Sequence, residues 1–188
     1  MCRSRTRPGK TLSGRTRPKR KCRRNSRCDP DVERTAGALE SSHKAETSYR
    51  DLNEMLEAGS PDLVCLVTPD HMHRPHAEAC FAAECNVLQT KPLATNLEDA
   101  RAIVHASRSA DRKLMVAHER RFRPNVLAIK AAIDAGDIGD LIHLRIDAIS
   151  DKRNQFLKAP WYAQSESGRS APNGTGIHEV DLTRHIVG

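Results

Sequence analysis

The chain has 188 residues, 38% of them hydrophobic, and a formal net charge of +7, which is length and apolar content for one or two folded domains and excludes disorder throughout. Residues 1–28 hold 12 Lys/Arg and no acid, so the totals of 31 basic and 24 acidic residues leave 19 against 24, a net of −5, in residues 29–188, and the basic character belongs to the first segment alone. Six cysteines with no CxxC pair and no apolar leader exclude a secreted disulfide framework and fit a cytoplasmic protein; the longest apolar run, Leu63 to Val67, is far short of the ~20 residues of a membrane span.

Residues 1–28 are almost devoid of aliphatic side chains and dense in like charges and turn formers, so they are expected to be disordered. From Asp29 the pattern changes. Asp31 to Leu39 reads as a short helix behind an Asp-Pro start, and Tyr49 to Leu56 as a second, with Leu52, Met55 and Leu56 on one side. The run LVCLV (63–67), closed by Thr68-Pro69, has the composition of a parallel strand covered on both faces. Short apolar runs at Asn86 to Leu88 and Lys113 to Val116 flank a helical pattern from Leu97 to Ser109 built on Leu97, Ala100, Ile103 and Val104. This alternation implies βαβ units, a parallel sheet and a ligand site at the carboxyl ends of its strands.

After Arg123-Pro124 a helix is expected through Val126, Leu127, Ile129 and Ile133, stopped by Gly136. LIHLRIDAI (141–149) then alternates as a strand with one buried face, which suits a mixed or antiparallel sheet and sets a domain boundary near Ala117 to Phe122. Residues 151–176 read as loop, and His178 to Val187 as a last helix.

Three stretches carry chemistry. In TPDHMHRPH (68–76), at the end of the LVCLV strand, His71, His73 and His76 have metal-ligand spacing, but Pro75 stands where a metallo-β-lactamase pattern needs Asp; the plainer reading starts a helix at His76 and leaves His71 in solvent, with no metal. In ECNVLQTKPLA (84–94), Pro92 holds Lys91 extended at a strand end, where a buried lysine can exchange a proton with a substrate hydroxyl and an exposed one is only a solvated charge. In GTGIHEVDLTRHIVG (174–188), His178 and Asp181 lie three apart on one helical face behind glycines that let a backbone approach a ligand; His178 is either a general base or a helix-start histidine.

Together, with LMVAHERRFRP (114–124) and AIDAGDIGDLIHLRID (132–147) between them, these stretches resemble the glucose-fructose oxidoreductase, inositol dehydrogenase and rhizopine-catabolism family (Gfo/Idh/MocA) from about Asp29 to Gly188. The resemblance implies an α/β fold: a partial Rossmann-like parallel sheet at 29–120 that binds NAD or NADP, then the start of an α/β (α+β) second domain at 121–188 for substrate and homo-oligomer contacts. It implies that Thr68, Pro69 and His73 line the cofactor crevice, that Asp29 stands where an acidic residue meets the adenosine ribose, and that Lys91 and His178 are the catalytic lysine and the general acid/base. The implied reaction is hydride transfer between a sugar or polyol carbon and the nicotinamide.

The sequence departs from that family in four places. The opening strand and GxGxxG loop are not found in residues 1–28, Gly174 stands where many members carry Asp, Thr90 stands where Glu precedes Lys-Pro, and the further strands of a second domain would lie beyond Gly188. The competing reading is a non-catalytic remnant whose basic residues 1–28 form a nucleic-acid-binding arm.

Overall fold

In the computed structural model the described residues are 25–31, 33, 45–164 and 167–188. The chain begins with β1 (Asn25–Cys28) and β2 (Ala45–Tyr49), which pair in parallel. β1 lies inside the segment expected to be disordered: NSRC forms a strand because β2 supplies the hydrogen-bonding partner that composition does not reveal. The helix expected at 31–39 falls almost wholly outside the described residues.

Tyr49, expected in a helix, instead ends β2, and α1 (Leu52–Gly59) starts after Asp51, whose carboxylate accepts from the Asn53 and Glu54 backbone N–H groups at 2.8 and 3.1 Å. Then follow β3 (Leu63–Leu66), α2 (His73–Ala82), β4 (Asn86–Thr90), α3 (Leu97–Ser109) and β5 (Leu114–Ala117), with all three strands parallel in the order β3-β4-β5. Asn96 caps α3 by accepting from the Asp99 N–H at 2.8 Å, which fixes where the helix enters.

A single core joins both sheets. Val64, Leu66 and Val87 from the strands meet Ala77, Cys80 and Phe81 of α2, Ile103 of α3 and Met55 and Leu56 of α1, and Cys28 and Tyr49 pack against its edge. The LVCLV run, however, is covered on one face only. Leu63 and Val67 are 54% and 76% exposed and Cys65 is exposed as well, because the helices pack on the Val64–Leu66 side. No ladder links β1-β2 to β3-β4-β5 among the described residues.

Beyond β5 a turn at Glu119–Phe122 leads into α4 (Pro124–Asp134). Of its expected apolar positions Val126 is buried, while Leu127 and Ile129 are exposed. LIHLRIDAI forms no strand: residues 139–152 have no regular structure, and Ile142 and Ile149 are 96% and 99% exposed. Its alternation suits a sheet, but no neighbouring strand among the described residues takes its backbone N–H and C=O groups. The region expected as loop contains α5 (Arg153–Lys158) and turns at Pro160–Ala163 and Pro172–Gly176, and α6 (Ile177–Val187) closes the chain.

Candidate active site at the carboxyl ends of β3 and β4

The site forms where the loops after β3 and β4 meet the Pro172–Gly176 turn and the start of α6. Gly168, at φ +63, turns the chain into this region; a Cβ there would stand 3.0 Å from Thr95 Cβ and Oγ1, so only glycine permits that approach. Asn173 ties the same loop down by donating from Nδ2 to the Thr95 carbonyl at 3.1 Å.

Lys91 directly follows β4, joined to Pro92 by a cis peptide. It is half-buried and donates from Nζ to the Gly174 carbonyl at 2.8 Å. Burial, then the nearby Arg169 charge, holds its ammonium below the ordinary lysine pKa, with Asp70 and Glu119 opposing. His178 is buried in the first turn of α6, and its Nδ1 has no hydrogen-bond partner; the nearest carboxylate, Glu119, is 3.8 Å away. Burial first, then the Arg120 charge, pushes its pKa down, and Lys91 adds to that push. A lysine whose charge disfavours that of a buried histidine is thus brought near it from 87 positions away in the chain.

Two groups not singled out in the sequence complete the site. Asp70 and Arg169 form an ion pair in which both side chains are less than a tenth exposed. The Arg169 guanidinium lies 3.8 Å from the Tyr162 ring centroid and 5.3 Å from that of Trp161, and its Nη2 donates to the Gly174 carbonyl at 3.2 Å. The carbonyl that receives Lys91 is therefore held from a second side. A Cβ on Gly174 would lie 2.7 Å from Arg169 Nε, so the guanidinium fills the space that a side chain at this position would need. Asp70 was legible only as part of TPDH; for Arg169, ninety-nine residues away, the sequence carried no local signal.

The other expected residues divide. Thr68 and Pro69 are half-buried at the end of β3, with Thr68 Oγ1 3.1 Å from His76 Nδ1. His73 is held between the two loops. Its ring is wholly buried, with Nδ1 2.8 Å from the Pro92 carbonyl and Nε2 3.1 Å from the Thr68 carbonyl, and it ties the two loops together as a strut. α2 begins at His73, three residues before the expected start, with Pro75 in its first turn, where its missing N–H has no helical partner to lose. His71 is exposed, and no three His/Cys/Asp/Glu side chains among the described residues converge as a metal site. Asp29 follows β1, and its Oδ1 accepts from the Asp31 N–H at 2.9 Å. Thr90 Oγ1 donates across the ladder to the Leu66 carbonyl at 3.3 Å, a sheet contact rather than a proton-relay one.

The donor set fits the nicotinamide and substrate end of a dinucleotide site: a lysine at a strand end and a histidine with one unpartnered ring nitrogen. A glycine-rich pyrophosphate turn would precede β1, where residues 1–24 lie outside the described residues. The parallel β3-β4-β5 sheet with helices packed on it places the chain in the class of Rossmann-like nucleotide-binding α/β folds. Residues 20–118 match the Gfo/Idh/MocA oxidoreductase family with its NAD-binding Rossmann fold, residues 126–188 match that family's C-terminal domain, and the chain belongs to this family.

Among its relatives, inositol 2-dehydrogenase 2 of Saccharopolyspora erythraea is 32% identical over 161 residues, covering 85% of this chain and 44% of that protein. D-apiose dehydrogenase of Paraburkholderia graminis is 33% identical over 161 residues, covering 86% of this chain and 42% of that protein. The crystal structure of an NAD-binding oxidoreductase from Klebsiella pneumoniae superposes with a TM-score of 0.67 at 27% identity, over 87% of this chain and 44% of that one. The chain spans less than half the length of these relatives. Among the described residues no helix is long and apolar enough to cross a membrane.

Proposed function

We propose that this chain is the cofactor-binding and catalytic-loop portion of an NAD(P)-dependent oxidoreductase acting on a C–OH carbon of a sugar, cyclitol or related polyol. The observation that carries the reading is the convergence of Lys91 and His178: both are withdrawn from solvent, both have a lowered pKa, and His178 Nδ1 is unpartnered. The dehydrogenases among its relatives act on substrates of this kind.

A bound NAD or NADP supplies the hydride acceptor at the nicotinamide. Lys91 spends one N–H on Gly174 and keeps two for the substrate oxygen, which it orients against the reacting carbon. His178, neutral near pH 7 because its pKa is lowered, takes the hydroxyl proton as the carbon loses hydride and the C–O bond becomes a carbonyl; in reduction it returns that proton. Thr68 and Pro69 form the wall after β3, and His73 acts on that wall only by fixing Thr68 against Pro92. Asp29 is assigned to the adenosine ribose, residues 29–120 to the cofactor and residues 121–188 to the substrate.

The test is a thermal-shift titration of residues 1–188 with NAD, NADH, NADP and NADPH, with size exclusion to verify a folded species. A saturable rise, about 2.7 kcal/mol at a hundredfold excess over Kd, supports the reading. A folded protein that responds to none of the four overturns it.

A further inference from the structure

Gly174 has no side chain, so it meets the rest of the site through its backbone alone. Its carbonyl accepts from Lys91 Nζ at 2.8 Å and from Arg169 Nη2 at 3.2 Å, and two cationic side chains therefore share one oxygen. Arg169 is itself held in place. Asp70 pairs with it where less than a tenth of either side chain is exposed, and the guanidinium lies against the Tyr162 and Trp161 rings. A buried ion pair gains little over well-packed apolar side chains, because the desolvation of both charges offsets their attraction. Stability alone does not account for a pair at this place.

Lys91 carries a flexible four-carbon stem, and without a fixed acceptor its ammonium would sample many positions beyond the end of β4. The clamped carbonyl removes that freedom. The same turn runs directly into α6 and its His178, so holding Gly174 also fixes the backbone that carries the histidine. We infer that Arg169, with Asp70 behind it, is a positioning residue for Lys91: it clamps the Gly174 carbonyl that receives the lysine and sets a second cation beside it. This rests on the assignment of Lys91 made above and goes beyond it in naming the residue that places the lysine.

The charges around Lys91 give this role a signature. Burial is the first cause of its lowered pKa and Arg169 the second, Asp70 and Glu119 oppose them, Lys152 adds a little, and His178 is near enough to feel the lysine in turn. Loss of Arg169 should therefore raise the pH at which Lys91 becomes a free amine, and loss of Asp70 should lower it. A pair that served only the fold would give a rise in both cases, because either loss would open the site to water.

The test is trace acetylation of the 188-residue chain with acetic anhydride over a pH series, read by peptide mass spectrometry, with the exposed Lys113 as internal reference and circular dichroism to verify folding. Relative to Lys113, the labelling midpoint of Lys91 should move up in Arg169→Met and down in Asp70→Asn. In the double variant Asp70→Asn/Arg169→Met, which leaves neither charge of the pair unpartnered, it should move up by less than in Arg169→Met. A rise in both single variants, no shift in Arg169→Met, or a double variant that does not fold overturns the inference. Where a single variant fails to fold, the double variant decides: a rise supports the positioning role, and no rise overturns it. The labelling needs neither cofactor nor substrate, so its failure removes the role of Arg169 and leaves the oxidoreductase reading to the nucleotide thermal shift.

Discussion

Residues 63–117 and residues 137–152 both carry apolar strand patterns, yet they have opposite outcomes. In the first, LVCL pairs with NVLQT and NVLQT with LMVA, and three helices bury one face of the sheet. In the second, LIHLRIDAI pairs with no strand among the described residues, and Ile142 and Ile149 are almost wholly exposed. A strand pattern specifies which face would be buried, not whether a neighbour is there to complete the ladder. The later part of the chain is tied to residues 29–120 by polar contacts instead: Lys91 to Gly174, Arg169 to Asp70, and Asn173 to Thr95. Catalysis is proposed at these ties because they are where charge is buried.

The largest expected effect breaks the tie that carries chemistry. In an assay with a reactive polyol, Lys91→Ala should lower kcat by ~10²–10⁴-fold with the melting temperature little changed. Unchanged turnover would remove Lys91 from the reaction.

Next come the structural ties. Asp70→Asn or Arg169→Met leaves one buried charge unpaired and should cost roughly 3–5 kcal/mol in urea unfolding. A cost near zero would mean that the later part of the chain is not anchored through this pair.

The contrast between the two regions can be measured directly. Ile103→Ala, at a fully buried position, should cost about 2–5 kcal/mol, whereas Ile142→Ala, at a position almost wholly exposed, should stay within ~0.5 kcal/mol. Similar costs would show that residue 142 is packed in solution.

The smallest effects are those of pH. Asp181 is pushed up by burial, but hydrogen bonds from Arg121 and the charges of His118, Arg121 and His185 outweigh this and leave its pKa lowered. A lowered carboxylate pKa contributes stability that is fully present above the unfolded value of ~3.9 and is lost as pH falls through the folded value. Acid unfolding of Asp181→Asn should therefore be less steep below about pH 4 than that of the parent chain. Since the pKa of His178 is likewise lowered, the acid limb of kcat/KM assigned to it should lie below about pH 6.5, and in His178→Gln that limb should vanish.

The sequence alone determined the alternation of strands and helices from Leu63 to Ala117, the span of α3 to the residue and the family. Those features are written locally, in hydrophobic period, proline and glycine placement and motif order. It misplaced what depends on partners: β1 inside a basic segment, the exposed face of β3, and the LIHLRIDAI run, which pairs with no strand among the described residues. Only the tertiary structure decided that Arg169 reaches Asp70 and fills the space beside Gly174. The reason is physical. Period and propensity act over a few residues, whereas ladders, buried ion pairs and lowered pKa values arise between groups far apart in the chain, once folding has removed the water between them.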